Sequence, residues 1–292
     1  MSETIDMHWE LGGDLRISRM GFGAMRLPAS QVGGPAGDRG TGLAVLRRAV
    51  ELGVDHIDTA AFYDLGDLAA NDMIREALSP YPEHLVIATK VGPRKGPGDT
   101  VPTGQMGPGE LRAEVERNLT ELGLDRLDLV YLRIGGLEPP SDEESLAERF
   151  EVLAGLREEG LIRHLGVSHV TAGHVAEARA IAPVAAVQNW FDVTKPRDTE
   201  LLDLCERDGI AYAPYFPLGG FGIPDDPRLK EIAERHGATV PQVLLAALLS
   251  LSPAMLAIPG TSSPAHLEEN MAAAALRLTA EDLSALGRLA TE

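Results

Sequence analysis

A carboxylate, a phenol, an ammonium and a guanidinium stand at or just past the ends of apolar runs in this chain. Asp58 closes Val54-Asp55-His56-Ile57-Asp58, and Tyr63 follows five residues later. Lys90 closes Leu85-Val86-Ile87-Ala88-Thr89-Lys90, and Arg133 closes Leu129-Val130-Tyr131-Leu132-Arg133. A carboxylate ending an apolar strand needs a partner, because burying an unpaired charge is costly; Lys90 supplies one. Two cations beside a phenol favour its phenolate and bring its pKa down from about 10. A phenol tuned in this way can hand its proton to a developing alkoxide. Each residue alone also has a plainer reading: a helix cap for Asp58, half-buried packing for Tyr63, snorkelling stems for Lys90 and Arg133. The four can act together only if the fold gathers their strand ends.

Eight short apolar runs end near Gly21, Thr59, Lys90, Leu132, Ser168, Asn189, Pro214 and Pro259. Helical periodicity fills 41–52, 68–78, 108–122, 142–159, 171–181, 198–208 and 241–251, and a last helix is expected over 280–290. Strands alternating with helices imply an α/β protein with a parallel sheet and crossover helices. Eight such units in about 250 residues fit a closed (β/α)₈ TIM barrel, here one domain over 1–292. An open doubly wound sheet is also compatible, since closure cannot be read from sequence. Its fingerprint is absent: Gly21-Phe22-Gly23-Ala24-Met25-Arg26 lacks the third glycine, and no phosphate loop with Gly-Lys-Ser/Thr occurs. Upstream, 7–11 and 14–18 flank Gly12-Gly13, which predicts an N-terminal hairpin with a two-residue turn, plugging the barrel. Segment 92–109 holds ten Gly or Pro in 18 residues, too many for a regular element. It is expected as a mobile loop over the substrate or as a surface insertion; 219–227 has similar composition.

Composition excludes several roles. The 292 residues are 44% hydrophobic, with 26 Lys and Arg against 44 Asp and Glu and a net charge of −18. Such a chain repels phosphate backbones and anionic lipid, which argues against nucleic acid and membrane surfaces as partners. No run reaches 18 apolar residues, the length of a bilayer span. The lone cysteine, Cys205, rules out an internal disulfide and a multi-thiolate metal site. Met1-Ser2-Glu3-Thr4-Ile5-Asp6 has no leader pattern, so a cytoplasmic protein is expected. His56 and Asp58 form a superficial ligand pair, but no His-x-His accompanies them and no metal is expected.

Together the residues resemble the aldo-keto reductase superfamily. The likeness lies in Asp58 with Tyr63, Lys90, Gly166-Val167-Ser168, Gln188-Asn189, Tyr215-Phe216-Pro217-Leu218-Gly219, Ile258-Pro259-Gly260-Thr261 and Glu269-Asn270, in family order from about Ser18 to Leu283. The bacterial branch that includes pyridoxal reductases is most similar, through Val91-Gly92-Pro93-Arg94, 118–125, Leu132-Arg133, 216–221 and 258–270. The resemblance implies a (β/α)₈ barrel and NADPH-dependent reduction of a small aldehyde or ketone, with NADH not excluded. It makes Tyr63 the general acid, tuned by Asp58 and Lys90. It implies that Ser168 and Gln188 hold the nicotinamide carboxamide and that Tyr215 stacks on the ring. Ala24, Met25, Pro217, Leu218, Gly219, Gly220, Pro259, Gly260, Thr261, Ser262, His266, Glu269 and Asn270 complete the implied cofactor contacts. Phe22, Tyr63, Arg133 and Trp190 would border the substrate. Backbone N–H groups at 218–220 suit a pyrophosphate. Ser263 and Pro264 open a helix whose N-terminus suits the 2′-phosphate.

Four positions depart from that pattern. Arg133 stands where the superfamily has the histidine that orients the carbonyl; it can still donate to the oxygen but is larger and permanently charged. His169 replaces the asparagine after Ser168, either substituting as a carboxamide partner or turning into packing. Gly260 and His266 replace the lysine and arginine that clamp the 2′-phosphate, leaving Thr261 and Ser262 hydroxyls to assist. A non-catalytic barrel that binds NADPH as a sensor or assembly subunit is the alternative.

Overall fold

The computed structural model describes residues 6–29, 34–96, 99–136, 138, 140–141, 144–194, 196–220 and 222–289. The stretch 1–5, positions 97–98 of the glycine- and proline-rich segment, Asp142 at one predicted helix start, Phe221 and Ala290 lie outside the described residues.

The elements follow in chain order. A hairpin, β1 (His8–Leu11) and β2 (Leu15–Ser18), precedes β3 (Phe22–Gly23), α1 (Arg39–Glu51) and β4 (His56–Asp58). Next come β5 (Asp64–Leu65), β6 (Leu68–Ala69), α2 (Ala70–Leu78), β7 (Val86–Val91), β8 (Pro93–Arg94) and β9 (Gly104–Gln105). Then α3 (Pro108–Leu122), β10 (Leu127–Arg133), α4 (Ala147–Glu158), β11 (Ile162–Ser168), α5 (Ala172–Ile181), β12 (Val184–Gln188) and α6 (Thr199–Asp208) alternate. The chain ends with β13 (Ala211–Tyr212), α7 (Pro227–His236), α8 (Val240–Leu251), α9 (Pro264–Ala272) and α10 (Ala280–Leu289).

Seven strands pair in parallel in the order β13-β12-β11-β10-β7-β4-β3. The eighth run closes them into a barrel. Met255 bridges Tyr212 on one side and Ala257 bridges Met20 on the other. Leu256 N donates to Tyr212 O, Ala257 N to Arg19 O and Gly21 N to Ala257 O, each at 2.8 Å. Buried Arg19 pins this seam, donating to the carbonyls of Met255 (3.1 Å), Leu249 and Ser252 (both 2.5 Å). The protein is thus a (β/α)₈ barrel with an N-terminal hairpin and a C-terminal helix.

Period-two alternation divides the strand residues between two cores. Val86, Ala88, Leu129, Tyr131, Ala186, Ala211 and Leu256 form the inner cluster, capped from below by Leu11 and Ile17 of the hairpin. Ile57, Ile87, Val130, Leu132, Val167 and Val187 join the outer cluster under the helices. The hairpin turn is 12–14, three residues rather than the expected two, because the register pairs Leu11 with Leu15. Gly12 and Gly13 both take positive φ, at 63° and 85°. Asp14 is thereby free to meet Arg163 (2.8 Å) and His164 (2.6 Å) at the start of β11.

The helix α7 was not among the expected elements, although Asp226 accepts from Arg228 N at its N-cap, Pro227 opens it and Gly237 ends it with φ 58°. It packs against α10 through Asp282, which is buried and accepts from Thr279 N (2.9 Å), His236 Nε2 (2.7 Å) and Arg235. Burial opposes ionisation there, but the bonds from His236, Arg235 and Thr279 outweigh it and hold the carboxyl well below the usual carboxylate range. A depressed folded pKa contributes stability that is present above the unfolded value and lost as pH falls through the folded one. Asp282→Ala is therefore expected to cost about 2 kcal/mol at pH 7, and to shrink the acid-induced loss of Tm between pH 5 and the acid limit, both read by thermal melts.

Candidate active site

The same alternation that sorts the cores places chemistry at the mouth. Counting inward positions along each strand, the last is Asp58 on β4, Lys90 on β7, Arg133 on β10, Ser168 on β11 and Gln188 on β12. Ser168 is the register partner of both Arg133 and Gln188, and Lys90 is the partner of Tyr131. The polar groups therefore form the top layer of the barrel interior, above the apolar layers.

Asp58 and Lys90 are 5% and 2% exposed, and Lys90 Nζ donates to Asp58 Oδ1 at 2.5 Å and to Thr59 O at 2.9 Å. The second carboxylate oxygen accepts from Gln188 Nε2 at 2.8 Å. Lys90 Nζ lies 4.9 Å from the centroid of the Tyr63 ring, which packs edge-on against Phe62. Burial works against the Lys90 charge, but Asp58 and the Tyr63 hydroxyl outweigh it and raise the ammonium above its ordinary value. The phenol goes the other way from the expectation of increased acidity. Burial raises the Tyr63 hydroxyl and Asp58 adds to this, so Lys90 and Arg133 offset the shift without reversing it. Desolvation of a phenolate here exceeds the attraction of a lysine whose charge is already matched by a carboxylate. Tyr63 is thus a protonated donor at neutral pH.

Arg133 Nη1 donates to Ser168 Oγ (3.2 Å) and Nη2 to Gly136 O (3.0 Å), while its Cζ sits 4.7 Å from the Tyr215 ring centroid. The Tyr215 hydroxyl meets His169 Nδ1 at 2.8 Å. Burial, then Arg133, push His169 down to about 4, so its imidazole is neutral. His169 and Phe216 adopt left-handed backbone, with φ 62° and 59°, on the two segments that carry Tyr215 and its partner. Such strain costs about 1 kcal/mol per residue and collects at sites that need an unusual chain direction.

A cavity of about 700 Å³ opens over this layer. Asp58, Tyr63, Lys90, Arg133, Gln188 and Tyr215 all line it, as do Met25, Pro217, Leu218, Gly220, Pro259 and Gly260. Other expected residues are elsewhere. Phe22 and Ala24 are fully buried in the outer core, packed away from the cavity. Ser168 is buried beneath Arg133, and Gly219 turns at φ 90° under Pro224. His169 and Trp190 line a neighbouring cavity of about 460 Å³ behind Tyr215. Beyond Gly260, Thr261 Oγ1 accepts from Ser263 N (3.0 Å) and Ser263 Oγ caps α9 by accepting from His266 N (3.4 Å). Glu269 accepts from Thr239 Oγ1, and Asn270 is buried. None of Thr261, Ser262, Ser263, His266, Glu269 and Asn270 lines the cavity.

Residues 100–105 of the loop expected over the substrate line the cavity, and so do Phe62, Asp64 and Leu65 beside Tyr63, which were not expected there. Segment 92–109 is not wholly irregular, since β8 pairs with β9 in a two-residue ladder. It is held over the mouth by Lys95, which donates to Asp64 O (2.6 Å) and to its carboxylate, and by Gln105 Nε2 to Gly135 O (2.9 Å). Arg26 also lines the cavity, its Cγ 3.5 Å from where a Cβ on Gly260 would stand. A buried polar network lies behind the Asp58–Lys90 pair. Thr59 and Thr89, neighbours of Asp58 and Lys90, point outward into a buried network. Thr59 Oγ1 donates to Asn71 Oδ1 (2.8 Å), Thr89 Oγ1 to Asn118 Oδ1 (2.6 Å), and Asn71 Nδ2 to Asn118 Oδ1 (3.2 Å) and Glu121 Oε2 (2.9 Å). Asn118→Ala strands a buried donor from each of Thr89 and Asn71, and is expected to destabilise by about 2–3 kcal/mol in denaturant titrations.

The residues fit a nicotinamide in one respect above all: Gln188 is fully buried, and its Oε1 makes no hydrogen bond within the protein. A carboxamide N–H would satisfy that acceptor. One face of the Tyr215 ring carries the Arg133 guanidinium, so a nicotinamide stacked on Tyr215 would take the other face.

Residues 19–290 match the profile of the Aldo/keto reductase family, and the chain belongs to that family. It is 46% identical over 282 residues to pyridoxine 4-dehydrogenase of Escherichia coli (strain K12), covering 96% of this chain and 97% of that one. Among solved structures, a thermostable aldo-keto reductase in complex with the inhibitor epalrestat superposes with TM-score 0.81 at 28% identity, over 97% of this chain and 99% of that one. An aldo-keto reductase from Klebsiella pneumoniae in complex with NADPH gives TM-score 0.79 at 27% identity, over 98% and 95%. Fold, site and kinship make this protein an NAD(P)H-dependent oxidoreductase that acts on small carbonyl compounds. Among the described residues no helix is long and apolar enough to cross a membrane.

Proposed function

We propose that the protein is a cytoplasmic NADPH-dependent reductase of small aldehydes or ketones, pyridoxal among them, with Tyr63 as the proton donor. The carrying observation is the buried Asp58–Lys90 pair with its ammonium 4.9 Å from the Tyr63 ring. Kinship with pyridoxine 4-dehydrogenase supports the substrate. When bound, the dihydronicotinamide supplies a hydride to the carbonyl carbon. Tyr63 gives its hydroxyl proton to the carbonyl oxygen as negative charge grows there, and is reprotonated from solvent. Lys90 stabilises the transient phenolate and Asp58 fixes Lys90, so the positive charge is strongest when the proton has left. Arg133 donates to the carbonyl oxygen. Gln188 holds the carboxamide through its free acceptor while keeping Asp58 oriented, and Met25, Leu218, Gly220 and Gly260 border the rest of the cofactor. NADPH is favoured over NADH by family likeness, and Arg26 beside Gly260 supplies a cation near the positions where Gly260 and His266 lack one.

The test is loss of absorbance at the dihydronicotinamide band with purified protein, a panel of aldehydes including pyridoxal, and NADPH or NADH in parallel. Turnover of pyridoxal with NADPH is expected. Tight NADPH binding with no oxidation by any carbonyl would overturn the reading in favour of a sensor.

A further inference from the structure

Among the described residues, the charges on the cavity wall near the reacting end are matched inside the protein, with Arg133 the exception. Lys90 pairs with Asp58, and Lys95 pairs with Asp64. Arg133 makes no ion pair among the described residues. Its two bonded oxygens, Ser168 Oγ and Gly136 O, are neutral, and its flat face rests on the neutral ring of Tyr215. The titratable groups around it carry no compensating charge. His169 is held neutral by burial and by Arg133 itself, and burial keeps the Tyr215 and Tyr63 hydroxyls protonated. Of the carboxylates lining the cavity, Asp58 is engaged by Lys90 and Gln188, and Asp64 by Lys95. A guanidinium in such surroundings leaves a positive potential on the wall, strengthened by the low dielectric of a partly enclosed cavity.

We propose that this site selects carbonyl compounds on a flat ring that bear an anionic group, a phenolate or a carboxylate, on the ring atom next to the one carrying the carbonyl, and that Arg133 recognises it. The inference rests on the reductase reading above and names its substrate class. A guanidinium has five N–H donors in a planar fork; Ser168 Oγ and Gly136 O take two and the Tyr215 hydroxyl is within reach of a third, so 5 − 3 = 2 stay available. That fork can bond the carbonyl oxygen and the adjacent anionic oxygen together, as it bonds the two oxygens of a carboxylate. A histidine in this place would give one donor and, if neutral, no charge. The benefit grows along the reaction, because the carbonyl oxygen becomes negative beside an oxygen that already is, and only a cation bridging both relieves their repulsion. Phe62, Leu65 and Val101 provide apolar walls for a flat ring.

The experiment compares 2-carboxybenzaldehyde with 4-carboxybenzaldehyde, isomers of equal charge, as substrates with NADPH. The wild-type protein is expected to favour the ortho isomer in kcat/KM by about tenfold, the scale of a charge-assisted hydrogen bond. In Arg133→Met the ratio falls to within twofold, and Arg133→Lys keeps an intermediate ratio. Taking the ratio within each protein cancels any general loss of activity. A wild-type ratio near one, or an unchanged ratio in the methionine variant, overturns the proposal. Calorimetric titration of both isomers reads the same preference without turnover. If neither isomer is reduced but the ortho isomer binds several-fold tighter in wild type only, the reductase reading fails and the anion recognition stands. Equal binding of the isomers with no turnover overturns both.

Discussion

Tyr63→Phe is expected to lower kcat for aldehyde reduction by about 10³-fold or more while leaving NADPH affinity within twofold, the range that loss of a positioned general acid produces. The substitution removes one hydroxyl and keeps the ring that packs on Phe62 and lies under Lys90. Folding should survive, so the loss reports proton transfer. Fluorescence titration with NADPH and stopped-flow absorbance separate the two readouts; activity within a few-fold of wild type would falsify the assignment of the acid. The pH profile carries the sign. Burial holds the phenol above its ordinary value of 10.0. Its acid form therefore persists across the neutral range, and kcat should stay flat from about pH 6 to 9, falling only as pH rises toward the phenol's own pKa. A phenol made more acidic, as sequence alone suggested, would show that fall near neutrality.

Asp58→Asn should produce the largest loss of stability. Lys90 is 2% exposed, and without the carboxylate its charge is stranded. Breaking one side of a buried pair costs about 3–5 kcal/mol. Catalysis falls as well, because Lys90 is no longer fixed beside Tyr63. The pH dependence distinguishes this mechanism from simple misfolding. In the wild type Lys90 is raised above its ordinary 10.5, so the pair's contribution is complete below that value and lost as pH rises through the folded pKa. In the asparagine variant only Tyr63 still opposes burial, which depresses the folded pKa below the unfolded one. That variant should become more stable as pH climbs from the depressed value toward about 10.5, the reverse of the wild type. Thermal melts from pH 7 to 10 on both proteins decide the matter; parallel curves would argue that the ammonium is not the stranded group.

The strand ends were legible for a physical reason. A charged residue closing an apolar run, as Asp58, Lys90 and Arg133 do, has to find water or a partner at the rim of whatever sheet the run enters. Helix α3 was read with its true bounds, Pro108–Leu122, because Pro at N1, Glu110 and Gly123 mark its ends locally. α7 was overlooked because Asp226 and Pro227 sit at the end of a Gly- and Pro-rich stretch that reads as loop. The outer network of Thr59, Thr89, Asn71 and Asn118 left no mark, since short polar residues amid apolar ones fit many environments. Phe22 and Trp190 were expected to border the substrate. The core of one and the second cavity of the other depend on which way each side chain leaves its strand.

By itself the sequence determined the alternation of eight strands with helices, and the chemical types that end the strands, because these follow from local pattern and from the cost of burying charge. Closure of the barrel through the single bridges of Met255 and Ala257 was decided only in three dimensions, as was the neutral company of Arg133 and the direction in which Tyr63 is shifted. Each of those depends on distances between segments far apart in the chain, and on how much water the assembled mouth excludes.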